Sequence, residues 1–358
     1  MSVGLGTTTV MGVKEESSFR SRIEVTDRVP LLSEGIDFEN VDVLHDYLHG
    51  DAAIPASQRA FEPVKGSVEM NMCYTEKDTS FVSATVPLAL GMGTVEGKTA
   101  QGSYMITFQD ALAKFGTYAW NKGHHASKVW QAISCYVNSF TLACNQQEPL
   151  KLTQELIAYD LKVDDTTNNV TVLNALTDDV PGLILFSDFI FRIGDQAGAL
   201  SASDQVAISA FTLTVNNNLT EAQQATTENS GHTDVFQSLQ PVRNGFREVT
   251  LEITIPRYSS DTFFDFRTND TNLQAEFFGT HPSTSYEFDI LFPNLKIESV
   301  SAPVSGAEAL EQTITMRCLK RNSASDIAFG DASTDDGEVW FETDDERADG
   351  DLFGVAWT

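Results

Sequence analysis

Residues able to do chemistry fall into a few small groups along this chain. His45 and His49 stand four apart in His45-Asp46-Tyr47-Leu48-His49, the spacing that sets two imidazoles on one helix face around zinc. In that chemistry a Glu follows the first His and reaches the metal-bound water. Asp46 is one methylene too short, and Gly50 stops the helix before a third ligand is placed. His124 and His125 adjoin Gly123 in a turn, without ligand spacing. Gly4-Leu5-Gly6 and Gly91-Met92-Gly93 lack the strand, glycine loop and helix that together cradle phosphate. Cys73, Cys135, Cys144 and Cys318 include no C-x-x-C pair and read as buried thiols rather than as a zinc or disulfide framework. No G-x-S-x-G elbow occurs, and carboxylates are too many for one pair to stand out as acid and base. The expectation is no catalytic residue, no metal, no cofactor and no enzyme.

The elements that would carry any site are strands. Between residues 247 and 255, Val249, Leu251, Ile253 and Ile255 alternate with Glu248, Thr250, Glu252 and Thr254, the period of a sheet with one dry and one wet face. Residues 66–74 repeat the pattern, with Val68, Met70, Met72 and Tyr74 apolar and Glu69 and Asn71 polar. Both runs lead into an Asp-Thr pair, Asp78-Thr79 and Asp261-Thr262, and then Phe81 or Phe263. A second echo matches residues 137–162 with 295–320, each closed by Leu-Lys. The first half is longer by about two dozen residues, and the helical spacing of Leu112, Phe115 and Ala119 points to a helical insertion near 106–130.

The predicted fold is therefore mainly β, two tandem sandwich modules with one or two short helices. An N-terminal arm spans 1–18, a first module 19–164, a hairpin and linker 165–203, a second module 204–322 and an acidic extension 323–358. Each module is long enough for a core. Val68, Met70, Met72, Val249, Leu251 and Ile253 are the core candidates.

Charge narrows the partners. Twenty-three Lys and Arg stand against 51 Asp and Glu, a net of −28. Gripping nucleic acid draws its free energy from cations that displace counterions from phosphate, so DNA or anionic lipid is not held by this surface. Dense carboxylates fit two other uses, a wall that a polyanion passes without sticking or adaptation to high salt, and the sequence leaves both open. Residues 326–351 hold eleven acids and one base, Arg347. Trp340, Phe341, Phe353 and Trp357 are interleaved with them or follow them, and aromatics at such spacing dock somewhere. No run of residues reaches the length of a membrane span, and the N-terminus lacks a basic segment before an apolar one.

Several segments together resemble the tail tube, or major tail, proteins of long-tailed phages and archaeal viruses. They are the glycine-containing start, Arg28-Val29-Pro30-Leu31-Leu32-Ser33-Glu34, Val64-Lys65-Gly66-Ser67-Val68-Glu69, Asn138-Ser139-Phe140-Thr141-Leu142, residues 208–219, Arg243-Asn244-Gly245-Phe246-Arg247 and Phe292-Pro293-Asn294-Leu295-Lys296-Ile297. The resemblance spans residues 4–320 and stops before the acidic end. It implies a structural virion protein, made in the host cytoplasm and located in the tail, whose sheets join those of other copies into stacked rings that conduct viral DNA. Its implied partners are further copies of itself in trimeric pseudo-six-fold or hexameric rings, together with tape-measure, terminator and baseplate proteins. DNA is its cargo. The other reading is a terminator, baseplate or surface component that does not polymerise. On the tube reading, alternation assigns Glu69, Asn71, Glu248, Thr250 and Glu252 to the lumen.

Overall fold

The computed structural model describes residues 8–39, 41–44, 57–61, 63–74, 84–97, 103–109, 114–122, 128–176, 182–220, 239–282, 286–304, 309–322 and 337–344. Among these residues twenty-two strands and three α-helices follow in chain order. The first half holds β1 (Met11–Glu15), β2 (Asp27–Val29), β3 (Leu31–Glu34), β4 (Asp37–Phe38), β5 (Val41–Leu44), β6 (Ser57–Phe61), β7 (Val64–Asn71), α1 (Thr85–Met92), β8 (Gly93–Gly97), β9 (Ser103–Phe108), β10 (Gly116–Trp120), β11 (Val129–Asn145), β12 (Lys151–Ala158), β13 (Asp160–Asp164) and α2 (Val170–Ala175). The second holds β14 (Phe189–Asp195), β15 (Ala210–Asn216), β16 (Leu219–Thr220), β17 (Val242–Arg243), β18 (Glu248–Ile255), α3 (Thr262–Thr268), β19 (Leu273–Gly279), β20 (Glu287–Ser301), β21 (Gln312–Cys318) and β22 (Trp340–Asp344).

Two long strands organise this list. β11 is 17 residues long and β20 is 15, and each gives its two halves to different neighbours. The first part of β11 lies between β10 and β13, the second between β12 and β15. β20 begins between β19 and β22 and continues beside β21. Both hairpins carry a bulge at the matching place, Asn138 in β11 and Glu298 in β20. The echo seen in the sequence is thus a structural repeat, with β7, β12 and β11 answered by β18, β21 and β20. Its register is two residues from the one Leu-Lys suggests, an even slip that leaves every side chain on its face.

β11 changes sheet at Ser134, which takes φ +50°. The Glu16 carboxylate, 3% exposed, holds that corner. It accepts from the Ser134 amide at 2.8 Å, the Ser134 hydroxyl at 2.6 Å and the Thr117 hydroxyl at 2.5 Å. Burial raises the Glu16 pKa above the ordinary carboxylate value, against the pull of those hydrogen bonds.

The two layers face each other through side chains. Tyr118 on β10 donates to Gln154 on β12 at 3.0 Å, and the Gln154 amide donates to the Pro87 carbonyl of α1 at 2.8 Å. In the second half Phe211 on β15 and Phe277 on β19 lie with ring centroids 4.2 Å apart. One continuous apolar cluster runs from Met11 through Leu213 to Phe341, so the halves share a core. The core candidates Val68, Met70, Met72, Leu251 and Ile253 are fully buried and Val249 is 2% exposed. At Gly66 a Cβ would stand 2.2 Å from the Gly35 carbonyl oxygen, which is why β7 lacks a side chain where β3 turns into β4.

Two expectations are corrected. Among the described residues the segment near 106–130 is strand rather than helix, with β9, β10 and the start of β11 in it and Ala119 on β10. β9 and β10 are buried on both faces, so they show no alternation, and the helix-favouring Ala111, Leu112 and Ala113 lie outside the described residues. Beyond the repeat the described residues of the first half carry the β5–β6 and β8–β9 hairpins. The described residues of 165–203 form no hairpin: α2, capped by the Asn169 side chain accepting from the Val172 amide at 3.0 Å, lies early in the segment, and β14 pairs instead with β19. Trp340 and Phe341 of the acidic extension do dock, in β22 at residues 340–344, which lies between β20 and β9.

Candidate functional site: a continuous polar sheet face

Eight strand positions line up edge to edge in the order β3 with β4, β7, β12, β11, β15, β18, β21, β20. The order contains a four-strand unit twice, and the β11–β15 pairing is the seam between them. One row of opposed residues on the core side reads Leu31, Met70, Leu152, Leu142, Leu213, Leu251, Met316, Ile297. Its six inner members are fully buried, and only the terminal Leu31 and Ile297 are partly exposed.

The opposite side is the polar face. A first row across it reads Ser33, Glu69, Thr153, Thr141, Thr214, Thr250, Arg317 and Lys296. A second reads Asn71, Lys151, Ala143, Thr212, Glu252, Thr315 and Ser299. A third runs Ser67, Glu155, Ser139, Asn216 and Glu248. All five residues singled out in the sequence therefore sit on one face of one sheet. They do not cluster: Glu69 and Thr250 share a row but are four strands apart, roughly 19 Å.

The sequence reading missed most of this face. Glu155, Lys151, Thr141, Thr153, Thr212, Thr214, Thr315 and Arg317 belong to it, and alternation in Phe211-Thr212-Leu213-Thr214-Val215 and Ile314-Thr315-Met316 was the signal available. The face is built mainly of threonine hydroxyls with scattered carboxylates. Its cations have acidic neighbours: Arg317 meets Glu298 at 2.6 Å and Lys151 meets Glu148 at 3.5 Å. Hydroxyl groups outnumber the charged ones, and at its outer edge Ser33 donates to the Glu69 carboxylate at 3.3 Å.

The motifs with chemical potential lead elsewhere. His45, His49, His124 and His125 lie outside the described residues. Among the described residues no group of three His, Cys, Asp or Glu is arranged to hold a metal ion. The four cysteines are buried, and none forms a disulfide. No described helix is long and apolar enough to cross a membrane.

A family profile described as "Phage tail tube protein" matches residues 6–318 of this chain. The chain belongs to that family. No curated protein matches it. The tail tube protein is accordingly a structural protein of the virion tail, of a family that assembles into a tube with other tail proteins. The match ends at the last residue of β21. β22 lies beyond it.

Proposed function

We propose that this tail tube protein forms a ring of three copies in which the duplicated four-strand unit is used six times, and that the polar face lines a channel for viral DNA. The division into a module before residue 165 and another after residue 203 belongs to this proposal. The observation that carries it is the seam. Inside one chain the unit ending in β11 joins the unit beginning with β15. The unit ending in β20 has no such continuation among the described residues, and neither has the outer edge of β3 and β4. An open sheet with matching ends invites another copy, and ring closure removes both edges.

Register makes the proposal specific. At the internal seam Phe140 opposes Val215. Counting from the two bulges, Val300 stands where Phe140 does and Phe38 stands where Val215 does. Phe38 is 36% exposed on the free edge and Val300 is partly buried, so joining them would cover apolar surface that a single chain leaves open. Oxidising the double variant Phe38→Cys, Val300→Cys should give covalent oligomers ending at three, with either single variant remaining a monomer on denaturing gels. A ladder ending at six would replace the trimer by a hexamer. No crosslink in assembled protein would remove the edge pairing.

The face supports the cargo. Hydroxyls and carboxylates offer phosphate no displacement of counterions, and the few cations are neutralised locally. DNA passes such a wall without being held.

A further inference from the structure

The tube also needs contacts along its axis, and one exposed side chain is placed to make them. Phe246 is 92% exposed, the most exposed large apolar residue among those described. Its backbone is fixed. The Asn218 side-chain amide donates to the Phe246 carbonyl, the Asn244 amide donates to the Asn218 carbonyl at 2.7 Å, and Gly245 turns the chain at φ +122°. Val242, 61% exposed, stands on β17 beside this turn. A ring held out at this exposure by a hydrogen-bonded turn loses little freedom on docking.

The Phe246 turn leads into Glu248, which opposes Asn216 at one end of β15. At the other end, residues 205–208 run into Ala210 and border a cleft of about 410 Å³ lined by Phe186, Phe189, Ile190, Phe191, Val206 and Ile208. β15 is seven residues long, so knob and cleft are separated by at least ~20 Å along the strand direction. Strands of a closed ring run at a tilt along its axis, which sends the two ends of β15 to opposite rims. Identical rings stack indefinitely only through a contact between unlike surfaces, each ring presenting one at either rim.

We propose that Phe246 of one copy enters the aromatic cleft of a copy in the next ring, and that this contact drives stacking. The inference rests on the ring reading above but concerns a different surface. The experiment follows full-length Phe246→Asp and Phe246→Ala by electron microscopy and light scattering, with thermal melting as the check on folding. The expected result is rings without tubes for Phe246→Asp, and for Phe246→Ala a rise of about tenfold or more in the concentration at which tubes form. Ile190→Asp, which changes the cleft and leaves Phe246 intact, should give the same rings. The paired variant Phe246→Cys, Ile190→Cys should form a ladder beyond the size of one ring when oxidised. Normal tubes from Phe246→Asp would overturn the stacking contact and leave ring closure standing. Loss of rings as well as tubes would also overturn it, by assigning Phe246 to ring closure. A wild-type protein that forms no rings would count against the earlier reading instead.

Discussion

The two halves cover the same side of their long strands in different ways. Along β11 a single run of chain, β12 followed at once by β13, supplies both neighbours. Along β20 the corresponding neighbours are β21 and β22, separated by residues 319–339. Among the described residues β13 is left at an edge, and its exposed Lys162 and Val163 suit an edge that should not recruit another strand. β22 is central, because β9 pairs with its other side and brings the β8–β9 hairpin of the first half with it. Trp340 and Phe341 are fully buried, Phe341 opposing Ile106 and Ile290. Just before the strand, Glu338 pairs with Arg247 at 3.7 Å, and Arg247 lies over the Phe108 ring at 3.8 Å. The lesson is that the second sandwich is completed late in the chain. Its last strand also fastens the first half to the second.

That difference can be broken with proline. Glu342 has a strand on each side, Met105 opposite on β9 and Asp289 opposite on β20. Its amide therefore belongs to the ladder whichever way it points, and Glu342→Pro should cost ~3 kcal/mol or more. The hairpin of residues 93–108 should become accessible to protease at the same time. Lys162→Pro, at the middle of the edge strand β13, should cost distinctly less. Equal losses in chemical denaturation would mean that β22 is no more central than β13.

Only part of this asymmetry was legible in the sequence. Alternation exposed β7 and β18 because each has one wet face. β10 has none, since Tyr118 and Trp120 enter the main core and Ala119 on the other face packs with Val25 and Leu173, so Gly116-Thr117-Tyr118-Ala119-Trp120 carries no period to read. β22 was hidden for another reason. Its five residues lie in an acidic run, and the partners that make Phe341 a core residue come from positions near 106 and 290. The polar face was legible strand by strand, yet its continuity depends on the β11–β15 seam, which joins residues about seventy apart and leaves no local pattern.

The corners sharpen the comparison by a smaller effect. In the first half a buried charged group, Glu16, holds the bend of β11 at Ser134. The matching bend of β20 at Asn294 is held by neutral groups, with the Leu319 amide donating to the Asn294 carbonyl at 2.8 Å and the Asn294 side chain donating to the Lys320 carbonyl at 3.1 Å. Glu16→Ala would strand the Ser134 amide and should cost about 1–3 kcal/mol. The raised pKa sets the sign with pH: the folded state binds this proton more tightly than the unfolded chain, so the group's contribution is full below the ordinary carboxylate value and falls as pH climbs through the raised one. Glu16→Gln should remove that descent from the melting profile. A profile that keeps it would place the titration on another group.

The smallest expected effect on stability tests the polar face, where the halves should behave alike. Glu248 and Glu252 are exposed and make no contact that a fold needs, so Glu248→Lys with Glu252→Lys should change stability by less than about 0.5 kcal/mol per site. Tubes should still assemble. In a three-copy ring the double variant places six new cations around the channel, each able to release a counterion on meeting phosphate. Genome delivery should slow, and slow most at low salt. Replacing the same residues with Gln separates two mechanisms that the Lys variant confounds. If carboxylates act by repulsion, Gln slows delivery as well. If the threonine-rich face works because it offers no cation, Gln leaves delivery unchanged, and a matching pair on the first unit, Glu69→Gln with Glu155→Gln, does the same.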